Sequence, residues 1–266
     1  MARITKYRNG VPNWVDVATT DVPGAASFYG ELFGWHTEDQ GEEAGHYTMC
    51  SIDGASVAGI GPKFNPDGMP IWSTYIAVDD LAATLAKVEP AGGSVKMEPM
   101  EIPGSGTMAA VVDPTGAIVA FWQASQHIGC EVVNEDNTLV WNELTTRDAD
   151  AAAAFYEAVL GCSFQTMEGE EFGGYRTMQV GDRTVGGVMA MEGEQWGDMP
   201  SHWMVYFGTG DADATASKAT DLGGSVSVPP FDTPVGRIAV LNDPTGNAFS
   251  VIDFSDDADP VEGGIA

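Results

Sequence analysis

Four stretches of the chain are rich in β-branched and aromatic residues and alternate apolar with polar side chains, a pattern that predicts β-strands. They begin at Trp14, Trp72, Trp141 and Trp203. After each comes an aspartate and then an alanine-rich stretch that ends near glycine, which predicts an N-capped helix. Shorter apolar stretches separated by turn residues follow each helix. The predicted order is therefore a strand, a helix and further strands, repeated four times.

Two long segments of the chain match each other. The segment from Trp14 to Gly34 aligns without a gap with the segment from Trp141 to Gly161. Each half also contains the turn sequence Asp-Pro-Thr-Gly, at 113–116 and 243–246, before its last predicted strand. A self-match of this kind indicates duplication. It predicts two tandem domains at residues 12–125 and 139–254, a linker at 126–138 and an acidic tail at 255–266.

Composition narrows the class of protein. The formal net charge is −28, from 11 basic and 39 acidic residues, and such a surface repels phosphate backbones, which argues against nucleic-acid binding. No apolar stretch approaches the roughly 20 residues of a transmembrane helix, and none follows the basic N-terminus, so we expect no membrane association and no secretory signal. Three cysteines without paired spacing fit free thiols. We therefore expect a cytoplasmic protein.

The repeated strand–helix pattern, the Phe-Tyr and Leu-Gly residues after the first strand of each half, and the Asp-Pro-Thr-Gly turns resemble the vicinal oxygen chelate superfamily. That superfamily includes glyoxalases, bleomycin-resistance proteins and extradiol dioxygenases. The resemblance covers nearly the whole chain and points to a tandem actinobacterial subgroup of glyoxalase-like proteins, often labelled hydroxylases. It implies an α+β fold in which four βαβββ units form two open, cup-shaped half-barrels. It also implies a monomer with an internal pseudo-dimer, or a homodimer.

Metal-dependent members of that superfamily bind a divalent ion through His, Gln or Glu on the first strand of each unit and Glu on the last strand. The resemblance places these positions on Trp14, Trp72, Trp141 and Trp203, and on Ala120 and Ser250. An indole is only a hydrogen-bond donor, alanine has no ligand atom, and a lone serine hydroxyl is a poor ligand. We therefore expect no metal and no other cofactor.

Carboxylates occur on the strand faces that carry the tryptophans. The alternation along the first strand places Asp16 on the same face as Trp14 and opposite Val15, and it places Glu143 beside Trp141 in the second half. A carboxylate among indoles and small side chains suits a pocket for a flat, mostly apolar molecule. We expect Asp16 and Glu143 to be the catalytic groups. The expected ligand-binding residues are Trp14, Trp72, Thr74, Trp122, Trp141, Thr145, His202, Trp203, Arg237 and Ser250.

Each of these residues also has a purely structural interpretation. A tryptophan on a strand is as often part of the core, and indoles that fill the cup would leave no pocket. The carboxylates of Asp16 and Glu143 fit equally well with a buried partner such as a tyrosine hydroxyl. His202 has the opposite strand parity to Trp203 and fits the rim of the cup, and Arg237 fits a surface ion pair.

Two classes of function fit these residues. One is a metal-independent enzyme that uses Asp16 or Glu143 for acid–base catalysis on a hydrophobic, aromatic secondary metabolite. The other is a binding protein that sequesters such a compound, as drug-resistance members of the superfamily do. A metal-dependent glyoxalase or dioxygenase is a distant third. Acids at matching positions in both halves favour chemistry, with a small hydrophobic or aromatic molecule as the partner.

Overall fold

A computed structural model describes residues 3–63, 72–169 and 172–254, so the tail predicted at 255–266 lies outside the described residues. The elements of the first half are β1 (Pro12–Thr19), α1 (Val22–Phe33), β2 (His36–Asp39), β3 (Thr48–Ile52), β4 (Ala55–Pro62), β5 (Trp72–Ala77), α2 (Leu81–Leu85), β6 (Ser94–Ile102), β7 (Gly106–Val112) and β8 (Ile118–Ala124). Those of the second half are β9 (Leu139–Thr146), α3 (Ala149–Leu160), β10 (Ser163–Thr166), β11 (Arg176–Val180), β12 (Arg183–Ala190), β13 (His202–Gly208), α4 (Ala212–Asp221), β14 (Ser225–Thr233), β15 (Gly236–Asn242) and β16 (Ala248–Phe254). Short 3-10 turns at Glu42–Ala44 and Glu194–Trp196 complete the described elements.

Each half forms one eight-stranded sheet from two units of a strand, a helix and three strands. The strand order is β2-β3-β4-β1-β5-β8-β7-β6 in the first sheet and β10-β11-β12-β9-β13-β16-β15-β14 in the second. In the first sheet, β1 lies parallel to β4 and β5 parallel to β8, and the two units meet through the antiparallel pair β1–β5. The predicted α+β fold of four βαβββ units in two tandem, open sheets is confirmed.

An aspartate side chain begins each helix. Asp21, Asp80, Asp148 and Asp211 each accept a hydrogen bond from the backbone N–H three residues further on. These bonds satisfy donors that the first turn of a helix leaves without an intrahelical partner. α1 then ends at Gly34, whose φ of 73° lies in the left-handed region that glycine adopts without steric cost. The Asp–helix–Gly pattern of the sequence thus sets the bounds of α1.

One face of each sheet is buried against the helices and against the other half of the molecule. Val15 and Val17 of β1 and Leu144 of β9 are fully buried on that face, as the alternation predicts. The two sheets meet with β5 beside β13, where the ring of Trp72 lies 5.1 Å from that of Phe207, and α1 contacts α4 while α2 contacts α3. The opposite faces of the two sheets are therefore directed away from the junction of the halves.

A buried chain of hydrogen bonds ties the first half to the second. The hydroxyl of Tyr29, on α1, donates to Asp243 Oδ2 at 3.1 Å. The indole of Trp72, on β5, donates to the Tyr29 oxygen at 3.0 Å. Asp243 begins the Asp-Pro-Thr-Gly turn of the second half, so a helix of one half is anchored on a turn of the other.

The same chain of contacts occurs in the reverse direction. The hydroxyl of Tyr156, on α3, donates to Asp113 Oδ2 in the first half at 3.1 Å, and the indole of Trp203 donates to the Tyr156 oxygen at 3.0 Å. The junction is thus held by two equivalent Trp–Tyr–Asp relays. The Phe-Tyr pairs, which the sequence analysis used only for the family resemblance, contribute their tyrosines to this junction.

Two further expectations concern the described part of the chain as a whole. Among the described residues, no helix is long and apolar enough to cross a membrane. Cys50, Cys130 and Cys162 are buried and free, as their spacing indicated.

Candidate functional site

The face of each sheet directed away from the junction carries a carboxylate near its centre. We call the side chains on this face of the first sheet cup 1: Trp14, Asp16, Tyr47, Ser73, Tyr75, Ala120 and Trp122. The corresponding set in the second sheet is cup 2: Trp141, Glu143, Tyr175, Met204, Tyr206, Ser250 and Ile252. Strand pairing defines most of these sets because directly paired residues share a face, and Tyr47 and Tyr175 are included because they hydrogen-bond to Trp14 and Trp141. Asp16 is paired with Ser73, and Glu143 with Met204.

In cup 1, two phenols and one indole surround the carboxylate. The Tyr75 hydroxyl donates to Asp16 Oδ2 at 2.8 Å, and the Tyr47 hydroxyl donates to the same oxygen at 3.2 Å. The Trp14 indole N–H donates to the Tyr47 oxygen at 3.1 Å. Ser73 adds a further side-chain hydrogen bond to Asp16. Asp16 itself is half-buried, so part of its surface remains open.

Cup 2 repeats this arrangement with a glutamate. The Tyr206 hydroxyl donates to Glu143 Oε1 at 3.0 Å, and Tyr175 and Thr145 also hydrogen-bond to this carboxylate. The Trp141 indole N–H donates to the Tyr175 oxygen at 2.8 Å. Glu143 is only 5% exposed. Both halves therefore contain a Trp–Tyr–carboxylate–Tyr constellation, formed by equivalent strands.

Burial sets the acidity of these groups. It raises the pKa of Asp16 and of Glu143, because a carboxylate loses hydration there, and the hydrogen bonds from the phenols oppose that rise. Burial and the adjacent carboxylate together hold the pKa of Tyr75 and of Tyr206 well above the usual range. The phenols therefore remain protonated donors. The pKa of each carboxyl is therefore closer to neutral pH than that of an exposed carboxyl, which suits uptake and release of a proton.

Glycines create the space for two of the four phenols. The Tyr47 ring lies over Gly59 of β4, and the Tyr175 ring lies over Gly187 of β12, each where a Cβ on the glycine would stand. The sequence analysis missed these tyrosines because they lie outside the strands that carry the carboxylates. The available signal was a glycine inside an otherwise apolar strand, which often marks the close approach of another group.

The predicted orientation of Trp72, Thr74 and Trp203 toward the cups is wrong. Trp14 and Trp141 precede their helix-capping aspartates by seven residues, whereas Trp72 and Trp203 precede theirs by eight. A shift of one residue moves a side chain to the other face of a strand. Trp72 and Trp203 are therefore almost fully buried at the junction of the halves. Thr74 also lies there and donates to Asn142 of the second half at 2.9 Å.

Arg237 does not reach cup 2, so its predicted role as a ligand-binding residue is not supported. Its neighbour in sequence, Ile238, pairs with Ile252 of cup 2, which directs Arg237 to the helix side of the sheet. There it forms ion pairs with Asp213 of α4 and Asp232 of β14. The alternative of a surface ion pair is the correct one.

The other predicted residues lie on the open faces. Thr145 and His202 are paired directly at one edge of cup 2, where His202 Nδ1 lies 2.9 Å from the carbonyl oxygen of Pro200. Ser250 is fully buried next to Tyr206. The structure thus gathers Trp141, Glu143, Thr145, His202 and Ser250 in or beside cup 2, and Trp14, Asp16 and Trp122 in cup 1. Their contact with a ligand stays a prediction.

The sequence analysis did not assign His127 to a site, but its imidazole lies beside cup 1. The ring of His127 lies 4.4 Å from that of Trp14, edge to face, and the Trp122 indole donates to the His127 carbonyl oxygen at 2.8 Å. Burial lowers the pKa of His127 to about 4, so its imidazole is neutral at neutral pH. No spacing to another histidine could have revealed this position, because it depends on how the linker folds back over the sheet.

A separate, open depression of about 420 Å³ lies at the junction of α1 and α4. Its lining includes Leu32, Asp136 and Lys218, and the Lys218 ammonium donates to the carbonyl oxygen of Leu32 at 3.1 Å. The depression is on the helix side of the molecule and contains none of the carboxylate–phenol groups. We therefore place the candidate site in the cups.

Residues 11–121 and 137–251 each match the family described as the glyoxalase/bleomycin resistance protein/dioxygenase superfamily. The chain belongs to this superfamily. The family resemblance seen in the sequence is therefore confirmed.

Relatives within the superfamily are similar over nearly their full length. CFP32, a glyoxylase-like protein of Mycobacterium tuberculosis, is 49% identical over 95% of this chain and 98% of its own. DnrV of Streptomyces peucetius, named as an anthracycline biosynthesis protein, is 38% identical over 98% of this chain and 99% of its own.

Solved structures of the superfamily share the fold at low identity. The Mn(II)-bound glyoxalase from Novosphingobium aromaticivorans gives a TM-score of 0.63 at 15% identity, covering 93% of this chain and 83% of that chain. The 2,3-dioxygenase LapB from Pseudomonas sp. KL28 gives 0.64 at 13% identity, covering 92% of each chain.

The donor set of the cups does not fit the divalent ion that some superfamily members bind. Such an ion needs several oxygen or nitrogen ligands converging on one point. Each cup offers one carboxylate, with phenol hydroxyls directed at that carboxylate, and one imidazole beside the cup, that of His127 or His202. On β5 and β13 the residues that face the cups are Ser73 and Met204, not Trp72 and Trp203. Neither side chain is a strong metal ligand. Among the residues described, no three of His, Cys, Asp and Glu come together as a metal-binding group.

Proposed function

We propose that this protein is a metal-independent enzyme that acts by acid–base catalysis on a hydrophobic, aromatic small molecule. The observation that carries the proposal is the repeated constellation in which a carboxyl of raised pKa lies against protonated phenols on an indole-bearing face. Carboxyl groups of raised pKa in an apolar recess are typical of general acids and bases.

The chemistry that this constellation supports is a proton transfer. The carboxylate of Glu143 or Asp16 accepts a proton from an acidic C–H or O–H of the ligand and returns it at another atom. Once the carboxylate is protonated, the phenol of Tyr206 or Tyr75 loses its charged acceptor, and its O–H can turn toward an oxygen on which negative charge develops. Hydrogen-bond donors aimed at developing charge stabilise a transition state strongly where water is excluded.

The class of ligand follows from the walls of the cups and from the relatives. Trp141 offers a flat, partly exposed apolar surface, against which an aromatic ring system stacks or packs edge-on. The name of the relative from Streptomyces peucetius refers to anthracycline biosynthesis, which supports a polycyclic aromatic ligand for this chain as well.

Two isosteric substitutions test the proposal. Asp16→Asn and Glu143→Gln keep the size of each side chain and remove its basicity. With catalytic amounts of protein in a mixture of polycyclic aromatic metabolites, followed by mass spectrometry, we expect product to form in excess over protein. One of the two variants should lose turnover by roughly 10²–10⁴, the contribution typical of a positioned acid–base group. Normal turnover in both variants would show that the carboxyls are structural.

A second candidate function is sequestration of the same class of compound, without chemistry. One observation favours it: the phenols already hydrogen-bond to both carboxylates, as they would in a rigid, preorganised binding wall. The same experiment separates the two, because a binding protein depletes its ligand only up to one equivalent per site. Elemental analysis of protein purified without chelator tests metal independence, and about one equivalent of a divalent metal per half would contradict it.

A further inference from the structure

Four of the seven equivalent positions differ between the cups: Asp16 and Glu143, Ser73 and Met204, and two positions on the last strands. Counted from the first residue of the Asp-Pro-Thr-Gly turn, Trp122 of cup 1 corresponds to Ile252 of cup 2, and Ala120 corresponds to Ser250. Cup 2 therefore has a smaller aliphatic side chain in place of an indole, and a hydroxyl in place of a methyl group. Both differences bear on whether a cup can hold a ligand.

Aromatic side chains fill one end of cup 1. Trp14 and Trp122 are only 4% and 6% exposed, and the ring of His127 packs against both, at 4.4 Å and 5.9 Å between centroids. The linker that carries His127 is fixed on the sheet, since Asn13 hydrogen-bonds to the Ile128 carbonyl at 2.8 Å. The indole of Trp14 is thus covered by the protein itself.

The equivalent end of cup 2 is open by comparison. Trp141 is half-buried, although it corresponds to the buried Trp14. Tyr206 and Ile252 belong to a small apolar cluster separate from the main core. Partly buried side chains around this cluster are Trp141, Met204, Val235, Ile238 and Phe254. Partly exposed apolar side chains grouped in this way are a candidate surface for a small apolar molecule.

A buried hydroxyl whose contact with Tyr206 is weak lies next to this surface. Ser250 is fully buried beside Tyr206, and its hydroxyl makes no hydrogen bond of ordinary geometry to a described residue. A poorly paired buried hydroxyl is costly, and a ligand oxygen would satisfy it. The Tyr206 phenol, next to it, already donates to Glu143.

We infer that cup 2 is the ligand-binding cup and takes a planar polycyclic aromatic molecule whose hydroxyl or carbonyl oxygen pairs with Ser250, while cup 1 is closed. Trp141 supplies the stacking surface and Ile252 leaves the space that the ring system enters. Asp16 of cup 1 is also partly open, but the side chains beside it, Ala18 and Ser73, are small and offer no aromatic surface. The inference rests on the proposed class of ligand and not on the proposed chemistry.

The test transfers features of the closed cup into the open one. The probe is 1,8-dihydroxyanthraquinone, with binding to the full-length chain followed by titration calorimetry. Ile252→Trp copies cup 1 and should weaken binding at least tenfold, and Ser250→Ala, which removes one hydrogen bond, should weaken it by roughly five- to tenfold. The matched control is Ser227→Ala, which removes an exposed hydroxyl of β14 outside both cups and should leave affinity unchanged. Ile252→Val shows whether a change at this position that adds no bulk is tolerated.

Several outcomes would overturn the inference. These are the absence of saturable binding by the unmodified protein, normal affinity in Ile252→Trp and Ser250→Ala, or a loss of affinity confined to variants of Trp14 or Asp16. Thermal unfolding of each variant separates a blocked cup from a misfolded protein, and Ser250→Ala decides the question if Ile252→Trp does not fold. Binding in cup 2 without turnover would contradict the proposed enzyme and leave this inference intact. Turnover that depends on Asp16, with normal affinity in the cup 2 variants, would contradict this inference and leave the proposed enzyme intact.

Discussion

At the scale of single residues, the buried carboxyls make a definite prediction about pH. The pKa of Glu143 is raised in the folded protein above the value of about 4.3 expected when unfolded, so the folded state holds its proton to higher pH. The contribution of this raised pKa to the free energy of unfolding is complete below about pH 4.3 and is lost as pH rises through the folded-state pKa of Glu143. Glu143→Gln should flatten this part of the stability curve. Urea unfolding at a series of pH values measures how the free energy of unfolding depends on pH.

Tyr206→Phe provides the opposite test at the same site. It removes a hydrogen bond that lowers the pKa of Glu143, so the pH-dependent loss of stability should extend to higher pH than in the unmodified protein. Parallel stability curves for the unmodified protein and Glu143→Gln would show that Glu143 is not shifted. Tyr75→Phe, in cup 1, is the matched substitution for Asp16.

At the scale of the elements, β4 and β12 are shaped by the phenols that cross them. Gly187→Ala would place a Cβ against the hydroxyl end of Tyr175, so the tyrosine must move, which disturbs its hydrogen bond from Trp141. We expect a loss of about 1–3 kcal/mol in the free energy of unfolding, the usual cost of overpacking. Most of that cost should disappear when Tyr175→Ala is combined with it, in a double-mutant cycle. Equal costs in both backgrounds would refute the proposed clash.

Strand parity explains how much of the site the sequence could predict. The face of Asp16 and Glu143 followed from alternation within β1 and β9, because a strand has a period of two and their helix caps lie at the same spacing. For β5 and β13 the cap lies one residue further along, and a shift that small reverses every side chain. Tyr47 and Tyr175 left only an indirect signal, the glycine in the strand that each crosses, because their contact with the carboxylates depends on the assembled sheet.

At the scale of the whole molecule, the two Trp–Tyr–Asp relays make the halves interdependent. Tyr29 is anchored on Asp243 and Tyr156 on Asp113, and Phe28 packs against Phe249 across the junction. Residues 1–133 and 134–266, expressed separately, should therefore lack a cooperative unfolding transition, and mixing them should restore it. Circular dichroism during urea titration is the measurement. A cooperative transition in one half alone, at the midpoint of the intact chain, would contradict this.

The two relays are the same contact made in both directions, which is the property of an isologous, two-fold interface. A protein consisting of one half would be expected to satisfy its tyrosine and its turn aspartate by pairing with a second copy of itself. In such a homodimer every substitution appears twice, so both cups must stay alike. Once the copies are joined in one polypeptide, each can change alone. The fused arrangement thus allows one cup to keep an indole and the other to replace it by isoleucine, without a change in the interface that holds them together.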